Sequence, residues 1–201
     1  MEKLNAKSLT DATVLRGSGA TEKVIAKGQY IAKCYGKNGE LKWEDVAENI
    51  VTDVGANQLL DSAFSAGVIA GPFLGLISSV GYTGVPLASD TMLSHTTSNH
   101  VWYEAGDSIN YPNWSTPADS ARATVTFSGA TGRAKSLTSP VSFSIDTNGG
   151  TVEGCFLVFG AGAVETNDDT GGVLYSAGIF SGGAKVLGIG DTLMVSYSTS
   201  V

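Results

Sequence analysis

The sequence predicts an all-β protein with a single core, of the sandwich or barrel type. Charged residues make up only 15% of the 201 residues, and 26 residues are Gly. Short apolar runs rich in β-branched and aromatic residues alternate with clusters of Gly, Ser, Thr and Asn, which is typical of strands joined by turns. About nine such runs follow one another at the spacing found in sandwiches and barrels.

The chain divides into two parts that differ in composition. Residues 1–23 form a predicted N-terminal arm, in which a few apolar side chains are scattered among polar ones, and residues 24–201 form the β domain. The apolar residues of the arm are Leu4, Leu9, Val14 and Leu15. Two interpretations stay open, a terminus without fixed structure and an arm that becomes ordered against a neighbouring subunit.

The first strand is predicted over Val24 to Tyr35, where apolar residues alternate. Tyr30, Ala32 and Cys34 fall on one face of it. The segment Lys37 to Glu40 contains Asn-Gly, a strong signal for a hairpin turn. The return strand is therefore expected to begin at Leu41 and to continue through Val51.

One short helix is predicted over about residues 53–66. Thr52 or Asp53 can cap its start, and Gly67 is placed to end it. Apolar residues recur at intervals of three and four and are expected to face the core; they are Leu59, Leu60, Ala63 and Phe64.

Strands and turns are predicted from Gly71-Pro72 to the end of the chain. Asn148-Gly149-Gly150 resembles a second tight hairpin turn, which would join two of these strands. The predicted strands are Phe73–Val80, Val101–Tyr111, Ala123–Phe127, Val141–Ile145, Thr151–Phe159, Val173–Phe180 and Thr192–Tyr197.

Charge and hydropathy exclude two classes of partner. The net charge is −7 and no cluster of Lys and Arg appears, whereas nucleic-acid binding requires such a cluster. No apolar run reaches the ~20 residues of a membrane span, and the N-terminal residues lack an apolar signal-peptide core. We therefore expect a soluble protein, made in a cytoplasm, that binds neither nucleic acid nor membranes.

No catalytic, metal or cofactor site is predicted. His95 and His100 lie in a Ser/Thr/Asn-rich stretch, without the spacing of a helical zinc motif, so a surface loop is the expected setting. The acidic run Glu165 to Asp169 lacks the spaced ligands of a calcium loop and is interpreted as a solvated turn. These patterns favour a protein that is not an enzyme.

Cys34 and Cys155 both lie in apolar, strand-like runs. Free cysteine usually behaves as a small buried apolar residue, and disulfides are rare in a reducing cytoplasm. Two buried free thiols are the prediction, with a disulfide as the alternative.

Three tryptophans carry the clearest potential for recognition. Trp43, Trp102 and Trp114, with Tyr103 and Tyr111 nearby in sequence, are suited to three roles: packing in the core, anchoring a protein interface, or forming an aromatic platform for a sugar. The sequence leaves these alternatives open.

Four stretches resemble a family of tailed-phage capsid decoration (cement) proteins. Residues 28–43 contain the hairpin pattern "D/N-G-x-L-K-W" of that family, and residues 48–55 contain the pattern "N-x-V-T-x-x-G" that leads into a Leu-rich helix. Residues 174–178 and 190–197 resemble the closing strands of the family. The resemblance extends from about residue 28 to the C-terminus. In the middle third it is a similarity in the general character of the sequence, without specific motifs.

The resemblance implies a jelly-roll-like β-sandwich located on the outer surface of a virion capsid. Its implied partners are the major capsid protein and further copies of itself, as a dimer or trimer, and no cofactor is implied. The interface candidates are the four apolar residues of the arm and the three tryptophans. The polar stretch of about residues 81–120 departs from the family, and a host-surface or glycan-binding function is the expectation for it.

Two rival functions remain. The first is a sugar-binding or adhesive β-sandwich module of a phage tail or fibre, although such proteins are usually longer and repetitive, and no internal repeat is visible. The second is a small hydrolase, which the missing catalytic patterns disfavour.

Overall fold

The computed structural model describes residues 26–64, 70–95, 102–106, 111–117 and 120–201. The predicted arm of residues 1–23, with Leu4, Leu9, Val14 and Leu15, lies outside the described residues. Within them, the chain is mostly strand, with one α-helix and one short 3-10 turn at Met92–His95.

Twelve strands and one helix follow one another along the described residues. The first part comprises β1 Lys27–Tyr35, β2 Leu41–Val51, α1 Asp53–Phe64, β3 Phe73–Ser78, β4 Tyr103–Glu104, β5 Trp114–Thr116 and β6 Ala123–Thr124. The second part comprises β7 Ala134–Ser136, β8 Val141–Ile145, β9 Gly150–Phe159, β10 Val173–Phe180, β11 Lys185–Leu187 and β12 Thr192–Ser200.

All strands pair antiparallel in one sheet, in the order β4-β3-β9-β10-β2-β1-β12-β8-β5. The short strands β6, β7 and β11 pair with β3, β12 and β9. Leu74 of β3 and Phe143 of β8 are far apart in this order, yet both belong to one buried cluster. The sheet therefore curls so that its two halves face each other across a core, which confirms the predicted all-β, sandwich-like fold.

The first hairpin forms as its sequence predicts. In β1, Tyr30, Ala32 and Cys34 are buried, while the residues between them are only partly buried. Gly39 adopts a φ of 85°, which L-residues with a side chain rarely adopt. The N–H of Gly36 donates to the carbonyl of Glu40 at 2.8 Å and closes the turn.

The helix begins where it was predicted to begin, but it does not pack as predicted. The hydroxyl of Thr52 accepts a hydrogen bond from the N–H of Gly55 at 3.0 Å, so Thr52 is the N-cap. A Cβ on Gly55 would lie 2.5 Å from the carbonyl oxygen of Tyr175, which shows that Gly55 brings the helix against β10. Leu59 and Leu60, expected to face the core, are instead 36% and 59% exposed.

The predicted hairpin at Asn148-Gly149-Gly150 is wrong. The strands on either side of it, β8 and β9, do not pair, since β8 pairs with β12 and β5 while β9 pairs with β3, β10 and β11. The chain crosses here between the two halves of the sheet. The side-chain amide of Asn148 donates to Asn113 Oδ1 at 3.0 Å and fixes the crossing.

Several predicted strands are shorter than expected, and three were not predicted. Val101–Tyr111 contributes only β4 among its described residues, and Ala123–Phe127 contributes β6 and an isolated pairing of Phe127 with Leu137. The unpredicted strands, β5, β7 and β11, have three residues each.

A second buried cluster lies on the other face of β3, β9 and β10. Phe156 and Leu174 from these strands pack with Met92 and Trp102, which come from the connection between β3 and β4. The stretch of residues 81–120, interpreted from sequence as polar, thus contributes buried side chains that cover the outer face of the sheet.

Candidate interaction surfaces

Two of the three tryptophans are core residues, which corrects the expectation that they anchor an interface. Trp102 and Trp114 are both 0% exposed. The Trp114 ring packs edge-on against Phe143 with centroids 5.0 Å apart, and its N–H donates to the carbonyl of Ala121 at 2.9 Å. The Trp102 ring lies 5.3 Å from that of Phe156. Neither side chain offers a surface to a partner.

Trp43 is the tryptophan that remains a candidate for contact. It is partly buried against the core, its ring packs on Phe180, and its N–H donates to the carbonyl of Val186 at 3.2 Å. Val186 and Ile189 are 66% and 64% exposed. Trp43 therefore lies at one end of the sheet, where apolar side chains reach solvent.

This end, which we call the turn end, contains the turns at residues 36–40, 181–184 and 188–191. Carboxylates hold these turns to the strands. Asp191 accepts hydrogen bonds from the Lys42 ammonium at 2.5 Å and from the Gly188 N–H at 2.7 Å. Burial would raise the pKa of the Asp191 carboxyl, but the hydrogen bond from Lys42 lowers it below its usual value. Asp191 thus joins the start of β2 to the turn before β12.

A second carboxylate at the turn end, that of Asp45, joins β2 to the turn that follows β10. Asp45 accepts hydrogen bonds from Lys185 at 2.6 Å, from the Ser181 hydroxyl at 2.7 Å and from the Gly182 N–H at 3.0 Å. Burial alone would raise the pKa of Asp45, yet the hydrogen bonds, that from Lys185 first, bring the pKa down to about 2.

Both cysteines are free and buried, as predicted. Burial and the neighbouring Asp191 carboxylate raise the pKa of the Cys34 thiol to about 12. Burial also raises the pKa of the Cys155 thiol strongly. Thiols held neutral in this way are poor nucleophiles.

The opposite end, which we call the helix end, contains α1 and an apolar cavity of about 270 Å³. Its walls include Leu59 of α1, Phe127, Leu157, Phe159 and Tyr175. The start of β1 also lies at this end, beside β12: the Thr199 hydroxyl donates a hydrogen bond to the Lys27 carbonyl at 2.9 Å. Thr199 also lines the cavity.

Between the two ends, a buried ion pair fixes the loops outside the sheet. Glu104 and Arg122 form two parallel hydrogen bonds, at 2.9 and 2.7 Å, and both side chains are 0% exposed. Arg122 also donates to the carbonyls of Val164 and Asp169, and Glu104 accepts from the N–H of Asp168. The acidic run Glu165 to Asp169 is largely exposed, as expected of a solvated turn, and its backbone bonds the buried ion pair.

The described part of the connection between β3 and β4 presents a group of exposed apolar side chains. Over residues 79–95, which we call the apolar loop, the exposed large apolar residues are Val80, Val85, Leu87 and Leu93. Its backbone is attached at two points: the N–H of Ser79 donates to Thr151, and the carbonyl of Ala88 accepts from Asp53. Sequence reasoning missed this loop because its apolar residues show neither strand nor helix periodicity.

The other sequence candidates contribute little to these surfaces. His95 ends the 3-10 turn, and His100 lies outside the described residues. Among the residues that the structure describes, no group of three or more His, Cys, Asp or Glu could hold a metal ion. No described helix is long and apolar enough to cross a membrane.

No family model matches the chain, and no curated protein or solved structure is significantly similar to it.

Proposed function

We propose that this chain is a structural protein of a tailed-phage virion that binds the outer surface of the capsid shell and stabilises it. Its partners are the major capsid protein and further copies of itself, with no nucleic acid, membrane or cofactor involved and no catalysis. The protein is made in the host cytoplasm and ends on the capsid exterior.

The apolar loop is the observation that supports this proposal best. Val85 and Leu87 are 56% and 51% exposed, although the loop is attached to β9 and α1 by backbone hydrogen bonds. Ordered apolar side chains on a surface favour contact with another protein, because burying them removes apolar area from water without a large ordering cost. A symmetric shell presents the same contact site many times. An oligomer of this protein would then bind several sites at once, so that modest single affinities add up to strong binding.

The resemblance supports the same proposal from another part of the chain. The residues that resemble the decoration family, 28–43, form β1, the first hairpin and the start of β2, all within the sheet framework. The formal charge of −7 disfavours nonspecific association between copies of a protein present in large numbers.

The decisive experiment localises the protein on virions of the phage that encodes it. Immunogold electron microscopy is expected to label the shell. Label confined to the tail would contradict the proposal and favour the adhesive or sugar-binding module instead. Activity in a hydrolase screen that disappears with His95→Ala would contradict the absence of catalysis.

The contact surface is tested with a matched pair of double variants. We expect Val85→Ser/Leu87→Ser to weaken cosedimentation with capsid shells by at least about tenfold, since two apolar side chains lose their burial. Val186→Ser/Ile189→Ser removes two apolar residues at the turn end that are also more than half exposed and serves as the control. Equal weakening by both pairs would show that the apolar loop has no special part in the contact.

A further inference from the structure

We propose that Asn38 is a site of spontaneous modification, where the side-chain amide is lost through a cyclic imide, while Asn148 is protected from the same reaction. These two are the only asparagines followed by Gly in the 201 residues. Because Gly carries no side chain, its backbone can bend towards the preceding residue more readily than that of any other residue. The two sites look alike in sequence, and the structure distinguishes them.

The reaction needs no enzyme and no reactant other than water. The backbone nitrogen of Gly39 loses its proton and attacks Cγ of Asn38. A bond forms between these two atoms, and the bond from Cγ to the amide nitrogen breaks. That nitrogen takes up a proton and leaves as ammonia. Water then adds to one carbonyl carbon of the ring and opens it, which leaves aspartate or isoaspartate at position 38.

The turn at Asn38 has room for this ring. Asn38 and Gly39 are exposed, and a Cβ placed on Gly39 would meet no atom within 4 Å. Within the part of the chain that the structure describes, the Asn38 side chain forms no hydrogen bond. The N–H of Gly39 donates to the carbonyl of Gly36 at 2.8 Å, and this bond must break before the nitrogen attacks. Local opening of such an exposed turn costs little free energy.

Asn148 is held through both its side chain and its backbone. Its side-chain amide donates to Asn113 Oδ1 at 3.0 Å, and its carbonyl accepts from the N–H of Asn113 at 3.0 Å. That carbonyl shares a peptide unit with the nitrogen of Gly149, which is the atom that would attack. A Cβ on Gly149 would lie only 2.7 Å from the carbonyl oxygen of Leu187. Ring closure here therefore requires the chain to separate from two neighbouring segments.

The modification changes the charge and the backbone of the turn end. Either product places a new carboxylate beside Glu40 and makes the net charge of the chain more negative by one unit. Isoaspartate also adds a methylene group to the main chain, at the turn that joins β1 to β2. Protein that has been stored for longer is thus expected to have a more acidic and less regular turn end.

Prolonged incubation of the full-length protein at neutral pH tests the proposal. Peptide mapping by mass spectrometry measures the fraction of each asparagine that has exchanged its amide for an acid. In the native protein, Asn38 is expected to react at least about tenfold faster than Asn148, because Asn148 must first break two hydrogen bonds to Asn113. In urea, where neither site is folded, the two rates should agree within about threefold.

Two variants separate the chemistry from the protection. Gly39→Ala adds a methyl group beside the attacking nitrogen, and should slow the reaction at Asn38 by about tenfold without changing that at Asn148. Asn113→Ala removes the acceptor of the Asn148 amide, and should accelerate the reaction at Asn148 without changing that at Asn38. Melting temperatures establish that each variant is folded, and the comparison of native with urea-unfolded wild-type protein decides the matter without either variant.

Two results would overturn the proposal. One is an equal or faster reaction at Asn148 in the native wild-type protein, which would mean that its contacts with Asn113 give no protection. The other is a native rate at Asn38 more than about tenfold below the rate in urea, which would show that the hydrogen bond from Gly39 to Gly36 protects the turn.

Discussion

The two ends of the curled sheet are built from the same strands yet are held in different ways. At the turn end, Asp45 and Asp191 each bond a lysine and a backbone N–H of the adjoining turn. At the helix end, an apolar cavity opens between α1 and the sheet. Polar contacts hold the turn end, whereas the helix end retains an apolar cavity.

Connection length explains the difference. At the turn end, β1 is joined to β2, and β11 to β12, by a few residues each, so a single carboxylate can bond both sides of a turn. At the helix end, β2 reaches β3 only through α1 and the residues after it, and the sheet is left uncovered there. Long connections thus leave the surface that a partner or another part of the chain can occupy.

The largest effect is expected from the region between the ends. Arg122→Met leaves the carboxylate of Glu104 buried without its ion-pair partner, and we expect the free energy of unfolding to fall by about 3–5 kcal/mol in urea denaturation. The double variant Glu104→Leu/Arg122→Met should recover part of this loss, because no unpaired charge is left. A loss below about 1 kcal/mol for the single variant would show that the pair acts like a surface ion pair.

An effect of intermediate size is expected at the turn end, where the free energy of unfolding should depend on pH through Asp45 and Asp191. The folded pKa of Asp45, about 2, is below the ~3.9 of an unfolded aspartate. Its ionised form therefore stabilises the folded protein above about pH 4, and this contribution, about 2 kcal/mol, is lost as the pH falls towards 2. Asp191, whose pKa is also lowered, acts in the same direction.

Denaturant titrations between pH 7 and pH 2 measure this dependence. Asp45→Asn should flatten the acid-dependent loss, while Asp61→Asn, which replaces an exposed carboxylate on α1, provides the matched control. Identical profiles for the two variants would contradict a special role for the turn end in acid stability.

The smallest effect concerns the thiols. Native protein should react slowly with an alkylating reagent, and denatured, unreduced protein should take up two labels, on Cys34 and Cys155. Asp191→Asn should speed the labelling of Cys34 alone, because the carboxylate raises the Cys34 pKa and closes the turn end above it. Leu59→Gln, at the helix end, should accelerate neither thiol. A denatured chain that takes up no label would mean a disulfide.

Local patterns predicted the parts of the fold that local chemistry determines. The Asn38-Gly39 turn has its own backbone preference, and the alternation from Tyr30 to Cys34 is fixed by strand geometry. Val141–Ile145 and Val173–Phe180 are strands over the predicted ranges, because each is an apolar run bounded by turn residues.

The remaining features depend on residues that are distant in sequence. Asn148-Gly149 has hairpin composition, but the partners of β8 and β9 are chosen by the whole sheet. Glu104 and Arg122 are 18 residues apart in sequence, and neither helix nor strand periodicity predicts a contact between them. Leu59 and Leu60 have helical spacing, yet the contact with β10 is made by Gly55, where a close backbone approach favours the absence of a side chain. The capsid role and the arm contacts remain predictions.

The pairing of β1 with β12 has a consequence for the order of events during synthesis. Lys27 to Tyr35 pair residue by residue with Thr192 to Ser200, so one edge of an early strand has no native partner until nearly all of the described chain has left the ribosome. An exposed strand edge is a site for wrong pairing between chains. Crowded polysomes producing this protein would therefore favour exchange of edges between nascent copies, and slower initiation of translation would favour correct closure.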